Sequence, residues 1–191
     1  MTYLVAMRLP FTGAAAVAEP QVADDLAALR RGDSNALTEI LRRHEKATIG
    51  YLINLTGDPT LAQDLSQETF LRLIRRPPRH QKEGSLRPWL IRVARNLFHD
   101  HLRKNRRLVS LESQTDSGFS PSTEAKRPDS AARDLLATLP TDLKEIVQLR
   151  IFGELTFREI AETLSIPLGT AQWRMNCALE KLRSQLGEND Q

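Results

Sequence analysis

Trp89-Leu90-Ile91-Arg92-Val93-Ala94-Arg95-Asn96-Leu97-Phe98-His99-Asp100-His101-Leu102-Arg103-Lys104-Asn105-Arg106-Arg107 is the stretch on which the fold turns. At about 100° per residue, Leu90, Val93, Ala94 and Leu97 fall on one side of a helix. Arg92, Arg95, His99, Arg103 and Arg106 fall opposite, with Asn96 on the flank. Four guanidinium groups then share a stripe about 21 Å long. Like charges so close destabilise an isolated helix. A strand of closely spaced phosphates would offset that repulsion, and a planar guanidinium fits phosphate. The amide of Asn96 can also reach a base edge. The bland alternative is a solubilising face, but such faces intersperse acids, and here only Asp100 does so.

The charge extends upstream. From Arg72 to Arg107 twelve Lys/Arg stand against Glu83 and Asp100, a net +10 in a 191-residue chain whose total is +3. The remainder is therefore −7, and such segregation is the electrostatic footprint of a polyanion partner. Before this block, Leu61, Leu65, Phe70, Leu71 and Ile74 recur at helical steps. Asp58-Pro59 starts that helix, with Asp58 as cap and Pro59 in the first turn, and Pro77-Pro78 closes it. Earlier still, Leu37, Ile40, Leu41, Thr48, Tyr51, Leu52 and Leu55 mark a helix expected to be capped by Ser34 and ended by Gly57. The helix of the basic stripe is expected from Trp89 to about Arg106.

Downstream, residues 110–131 are rich in Ser, Thr, Asp and Pro and read as a linker. Leu139-Pro140-Thr141 opens a helix bearing Leu143, Ile146, Val147 and Ile151, which Gly153 ends. Thr156-Phe157-Arg158-Glu159 is a capping box, in which hydroxyl and carboxylate each satisfy a free backbone N–H. A short helix to Leu164, a turn over 165–169 and a last helix from Thr170 give the spacing of a helix-turn-helix. An ordinary helical hairpin shares that spacing. On the last helix Ala171, Met175, Ala178, Leu179, Leu182 and Leu186 form the buried side, and Trp173 and Cys177 lie opposite. Residues 140–186 hold six basic and six acidic side chains, so charge gives this half no support as a DNA reader.

Apolar residues are 40% and charged residues 27%, as in an ordinary globular chain. The single cysteine excludes an internal disulfide framework and a Cys-rich metal site. His44, His80, His99 and His101 are scattered, so no metal and no cofactor are expected. No nucleophile elbow or Gly-rich phosphate loop occurs, so the chain is not read as an enzyme. No apolar run is long enough to span a bilayer. Tyr3–Met7 is apolar but is cut short by Arg8, so residues 1–20 are expected to be a disordered tail rather than a signal peptide, with Met7 an alternative start. A cytoplasmic location is expected.

Together these features resemble an extracytoplasmic-function sigma factor, group IV of the sigma-70 family. Asp64-Leu65-Ser66-Gln67-Glu68-Thr69-Phe70-Leu71-Arg72-Leu73 is similar to region 2.2, and Ser85-Leu86-Arg87-Pro88-Trp89-Leu90-Ile91-Arg92-Val93-Ala94-Arg95-Asn96 to regions 2.3 and 2.4. Leu139-Pro140, Thr156-Phe157-Arg158-Glu159-Ile160-Ala161 and Pro167-Leu168-Gly169-Thr170 resemble region 4. The resemblance implies an all-α fold of two small helical domains joined by a flexible linker: a tail at 1–20, region 2 at 21–107, the linker at 108–131 and region 4 at 132–191. It implies a non-enzymatic factor that directs core RNA polymerase to promoters and helps open the DNA.

By the same resemblance, Asp64, Gln67, Glu68 and Phe70 would meet the β′ clamp helices, and region 4 the β flap. Arg76, Arg79, Arg92, Arg95, Asn96, Arg103 and Arg106 would hold DNA at the −10 element. Arg158, Thr170, Gln172, Trp173, Arg174, Asn176 and Cys177 would face the −35 element. An anti-sigma factor is a further implied partner. The family usually has Lys or Arg where Gln172 stands, a small polar residue at Trp173 and Arg at Cys177. Either this chain prefers an unusual −35 sequence, or Trp173 serves a protein contact. Two rival readings are a helix-turn-helix regulator and a sigma-like adaptor that binds protein without starting transcription.

Overall fold

The computed structural model describes residues 22–78, 85–112 and 130–188. The expected tail at 1–20, Arg79, His80 and Lys82 of the basic loop, and most of the expected linker lie outside the described residues. Among the described residues the structure is helical, without a strand.

Local signals set most of the boundaries. Helix α1 spans Val22–Arg30 and α2 spans Ser34–Thr56. The turn between them uses Gly32 at φ 83°, a left-handed conformation that suits a residue without Cβ. The cap of α2 is Asp33 rather than Ser34: its carboxylate accepts from the N–H of Asn35 at 2.8 Å. Gly57, at φ 75°, ends α2 and returns its N–H to the carbonyl of Ile53. Asp58 then caps α3, Pro59–Arg75, by accepting from Thr60 and Leu61, and Pro59 occupies the first turn, where its missing N–H costs nothing.

Helix α4 runs Arg87–Glu112, longer at both ends than the expected 89–106. Pro88 sits in its first turn, which proline tolerates, so the helix begins before Trp89. Its far end takes up the first residues assigned to the linker from 108.

The second half comprises α5, Ser130–Ala137; α6, Thr141–Val147; α7, Phe157–Leu164; and α8, Leu168–Glu188. The helix expected to run unbroken to Gly153 instead loosens into a π-helical stretch, Gln148–Phe152. It closes where the N–H of Gly153 reaches the carbonyl of Gln148. Gly153 has φ −79°, so space and not backbone conformation demands glycine: a Cβ there would lie 2.7 Å from the carbonyl oxygen of Leu149. The capping box of α7 is complete, with the Thr156 N–H donating to Glu159 at 2.7 Å and the Glu159 N–H donating to the Thr156 hydroxyl. Helix α8 begins at Leu168, ahead of the expected Thr170, because the N–H of Ala171 already bonds the Pro167 carbonyl.

Leu26, Ile40, Phe70, Leu73, Leu86 and Leu90 form one core, which joins α1 to α4. A larger core crosses the two halves. It unites Tyr51, Leu52, Ala62, Leu65, Ile91, Ala94 and Leu97 with Leu136, Ile146, Val147, Leu149, Leu155, Ile160, Met175 and Leu182. The second half thus lies on α2 and α4 of the first. Inside the first half His44 is buried, and that burial, with Arg87 and Arg43 nearby, holds its imidazole down to about 4.

Candidate nucleic-acid and polymerase interfaces

Helices α2 and α3 leave a groove of ≈340 Å³ between them, lined by Leu37, Leu41, Ile49, Phe70, Leu71 and Ile74 with Glu45, Gln63, Ser66 and Gln67. Helical spacing explains it. Leu37 and Leu41 lie one turn apart on α2, as Phe70 and Ile74 do on α3, and nothing among the described residues closes over them. Leu71 is 42% and Ile74 44% exposed, which is unusual for side chains of that size on a well-packed helix. Of the four residues expected to dock polymerase, Asp64 and Gln67 are exposed and Glu68 is half-buried, 3.3 Å from Arg72. Phe70 is 6% exposed, so it is mainly core and forms the floor of the groove.

The basic stripe of α4 divides in two. Asn96, Arg103 and Arg106 are exposed, and Arg103 pairs with Asp100 in the next turn down. Arg76, after the end of α3, is also exposed. Arg92 is half-buried. Arg95 is turned toward the second half, where its Nε donates to the Glu145 carboxylate at 2.6 Å. Nε2 of His99 lies 3.8 Å from the same carboxylate. Seven residues were expected at this surface: six are described, five of them open in whole or part, and Arg95 is engaged by another helix.

On the second half, Gln172, Trp173 and Asn176 project from α8, and Trp173 is 61% exposed. Arg158 is exposed on α7, while Thr170 is half-buried. Cys177 does not share the exposure of Trp173: it is half-buried at the edge of the core. Arg174 turns away from this face, its Nε 3.6 Å from Asp142 of α6. Past the exposed Leu168 and Gly169, the outward surface of early α8 is therefore two amides and an indole.

Residues 40–108 match the profile of sigma-70 region 2, and residues 135–184 that of sigma-70 region 4. The chain belongs to the sigma-70 family. It is 32% identical over 163 residues to the RNA polymerase sigma factor CarQ of Myxococcus xanthus, covering 83% of this chain and 94% of that one. To the ECF RNA polymerase sigma factor SigW of Bacillus subtilis it is 26% identical, covering 83% of this chain and 92% of that one. The fold is shared with the sigma factor RpoE of Bartonella quintana, solved in complex with the anti-sigma factor NepR: TM-score 0.64 at 21% identity, over 78% of this chain and 96% of that one. The chain is an extracytoplasmic-function sigma factor of RNA polymerase, built of region 2 and region 4.

Sequence reasoning missed several residues of these surfaces. Leu71 and Ile74 of region 2 were placed on α3 as part of its apolar pattern, and only their exposure assigns them to a groove. Phe70, Leu71, Leu73 and Ile74 follow so closely that they spread over about 160° of the helix, wider than a single narrow stripe, which was the available signal. Glu145, Glu154 and Asp142 of region 4 entered only as charges that neutralise the segment. Their pairing with Arg95, Arg87 and Arg174 is tertiary and leaves no local mark.

Proposed function

We propose that this sigma factor docks on core RNA polymerase through the groove between α2 and α3, holds promoter DNA along α4, and reads the upstream element with α8. The polymerase supplies the chemistry, and the chain acts beside it in the cytoplasm. Apolar Leu71 and Ile74 flanked by Asp64, Gln67 and Glu68 give the mixture of a buried centre and a polar rim that suits a protein interface. Exposed Arg76, Arg103 and Arg106 suit backbone phosphates, and Asn96 a base edge. Extruding a base costs a few kcal/mol, which those backbone contacts offset. The single observation that carries this reading is α4 itself: one continuous helix whose buried face holds the region 2 core while its exposed face presents Asn96, Arg103 and Arg106.

At the upstream element, the amides of Gln172 and Asn176 suit adenine and the indole of Trp173 suits a thymine methyl. With Arg174 turned to Asp142, the first turns of α8 offer little phosphate anchoring, so recognition there rests on base edges. A protein inhibitor is a further expected partner, as the Bartonella quintana relative has one.

Run-off transcription with core polymerase and a library of promoter fragments tests the reading. Promoter-dependent product is expected. DNA binding without product would favour a helix-turn-helix regulator, and polymerase binding without either would favour an adaptor.

A further inference from the structure

Between Glu162 and Glu180 a single charged residue occurs, Arg174, and its Nε is turned to Asp142 of α6 at 3.6 Å. The first turns of α8 therefore present no cation outward. They do present apolar surface. Trp173 is 61% and Leu168 43% exposed, which is unusual for side chains of that size. At about 100° per residue, Leu168, Gln172, Asn176 and Trp173 fall within an arc of about 140°, and from Leu168 to Asn176 the helix rises about 12 Å. That length faces about three or four base pairs at about 3.4 Å per step. A helical tryptophan leans toward the helix start, over the residue four places back, which here is Gly169. A Cβ at Gly169 would meet nothing within 4 Å, and Gly169 is not among the glycines with positive φ. Neither packing nor backbone conformation requires glycine there, and a residue without a side chain leaves the indole bare on that side.

A recognition helix brings its N-terminal residues to base edges in the major groove. Guanine is most often read there by Arg or Lys, which this surface lacks, and the amides of Gln172 and Asn176 suit adenine. What an indole and a leucine side chain add is contact with an apolar group. The apolar group that the groove displays is a methyl on C5 of a pyrimidine. Thymine carries it, and uracil and cytosine do not; 5-methylcytosine carries it in the same place. Apolar contact has no donor or acceptor with which to tell one bearer from the other. Resting on the function proposed above, we infer that Trp173, flanked by Leu168, reads the C5-methyl group itself, so that 5-methylcytosine substitutes for thymine beneath the indole. Methylation of cytosine at C5 in the upstream element then strengthens the hold of the factor on its promoter, and this DNA modification is a regulatory input that α8 senses directly. The modification changes no charge, so the gain is one of apolar burial and does not fade with salt.

The test uses the holoenzyme and a fluorescein-labelled duplex promoter recovered from the run-off library. Each thymine of its upstream element is replaced in turn by uracil, by cytosine paired with guanine, and by 5-methylcytosine paired with guanine. Burial of one methyl group is worth about fourfold in affinity. At the position beneath the indole, uracil is expected to bind about fourfold more weakly than thymine, and 5-methylcytosine about fourfold more tightly than cytosine. Both ratios should hold between about 50 and about 200 mM salt, although the affinities themselves fall. Trp173→Ala should abolish both ratios and Trp173→Phe should keep them. Because Trp173 is exposed, neither substitution should shift the urea midpoint. A holoenzyme that selects its upstream element, yet binds thymine like uracil and cytosine like 5-methylcytosine, would overturn the inference and leave the function standing. Methyl effects that survive Trp173→Ala would also overturn it and assign them to DNA shape. Equal binding to the same fragment with a scrambled upstream element would strike the reading of that element by α8, and the inference with it.

Discussion

Nε of Arg174 lies 3.6 Å from Oδ2 of Asp142, so the first basic side chain of α8 in region 4 points back at its own domain. The separation is that of an ion pair rather than a direct hydrogen bond, and Arg174 is one-quarter exposed. A cation committed in this way releases few counterions on binding DNA. Arg174→Gln should therefore leave the salt dependence of holoenzyme binding to duplex promoter nearly unchanged. Asp142→Asn frees the guanidinium and should steepen the log–log slope by up to about 0.9, one phosphate contact. A slope flattened by that amount in Arg174→Gln would show that Arg174 already grips the backbone.

The groove between α2 and α3 gives a prediction for polymerase. Leu71→Lys with Ile74→Lys removes the two most exposed apolar side chains of α3. Because both are open to water, stability should change by no more than about 0.5 kcal/mol for each. Affinity for core polymerase, measured by competition with a labelled wild-type factor, should fall by about tenfold or more, the loss expected at the centre of an interface. Unchanged affinity would move the docking site elsewhere.

Gly153→Ala tests the end of the π-helical stretch. The new methyl would meet the Leu149 carbonyl at 2.7 Å, and the obstacle is backbone, which cannot rotate aside. Overpacking of this kind costs about 1–3 kcal/mol, to be seen as a lower urea midpoint with an unchanged slope. A midpoint equal to wild type would show that the turn relaxes freely.

His44 makes the fold sensitive to acid. Its imidazole is held down to about 4 in the folded chain, by burial first and then by Arg87 and Arg43. The unfolded chain titrates near the ordinary value of about 6.5. Between these values the unfolded state binds more protons, so stability falls as pH drops from about 6.5 to about 4, and above that window His44 has no effect. The total is about 3 kcal/mol. In denaturant titrations across this range, His44→Gln should be flatter than wild type by most of that amount. An equal pH dependence in the two proteins would assign the acid lability to other groups.

Much of this architecture was legible because local chemistry announces it. Gly57, Asp58 and Pro59 each act within one turn of chain, and so does the Thr156–Glu159 box, so helix ends could be placed from them alone. The stripe of α4 was legible for the same reason, since residues three and four apart must share a face. What could not be read depends on backbone angles or on distant partners. Whether Asp33 or Ser34 caps α2 is decided by a dihedral angle, and both residue types are competent. The pairing of Arg95 with Glu145 joins positions fifty residues apart, which no helical period encodes. Cys177 shares the nominal face of Trp173, yet its shorter side chain lies against the core while the indole extends past it. The exposed face of α4 was thus legible residue by residue, and its pairing with region 4 was not.

On the function proposed here, the outer edge of α4 lies against DNA once polymerase has been recruited. A photo-cross-linking amino acid at position 103, in the open complex of this factor with core polymerase and a labelled promoter, tests it most directly. Cross-linking to a DNA strand is predicted. Cross-links that form only with polypeptide, in an open complex that still yields transcript, would contradict it.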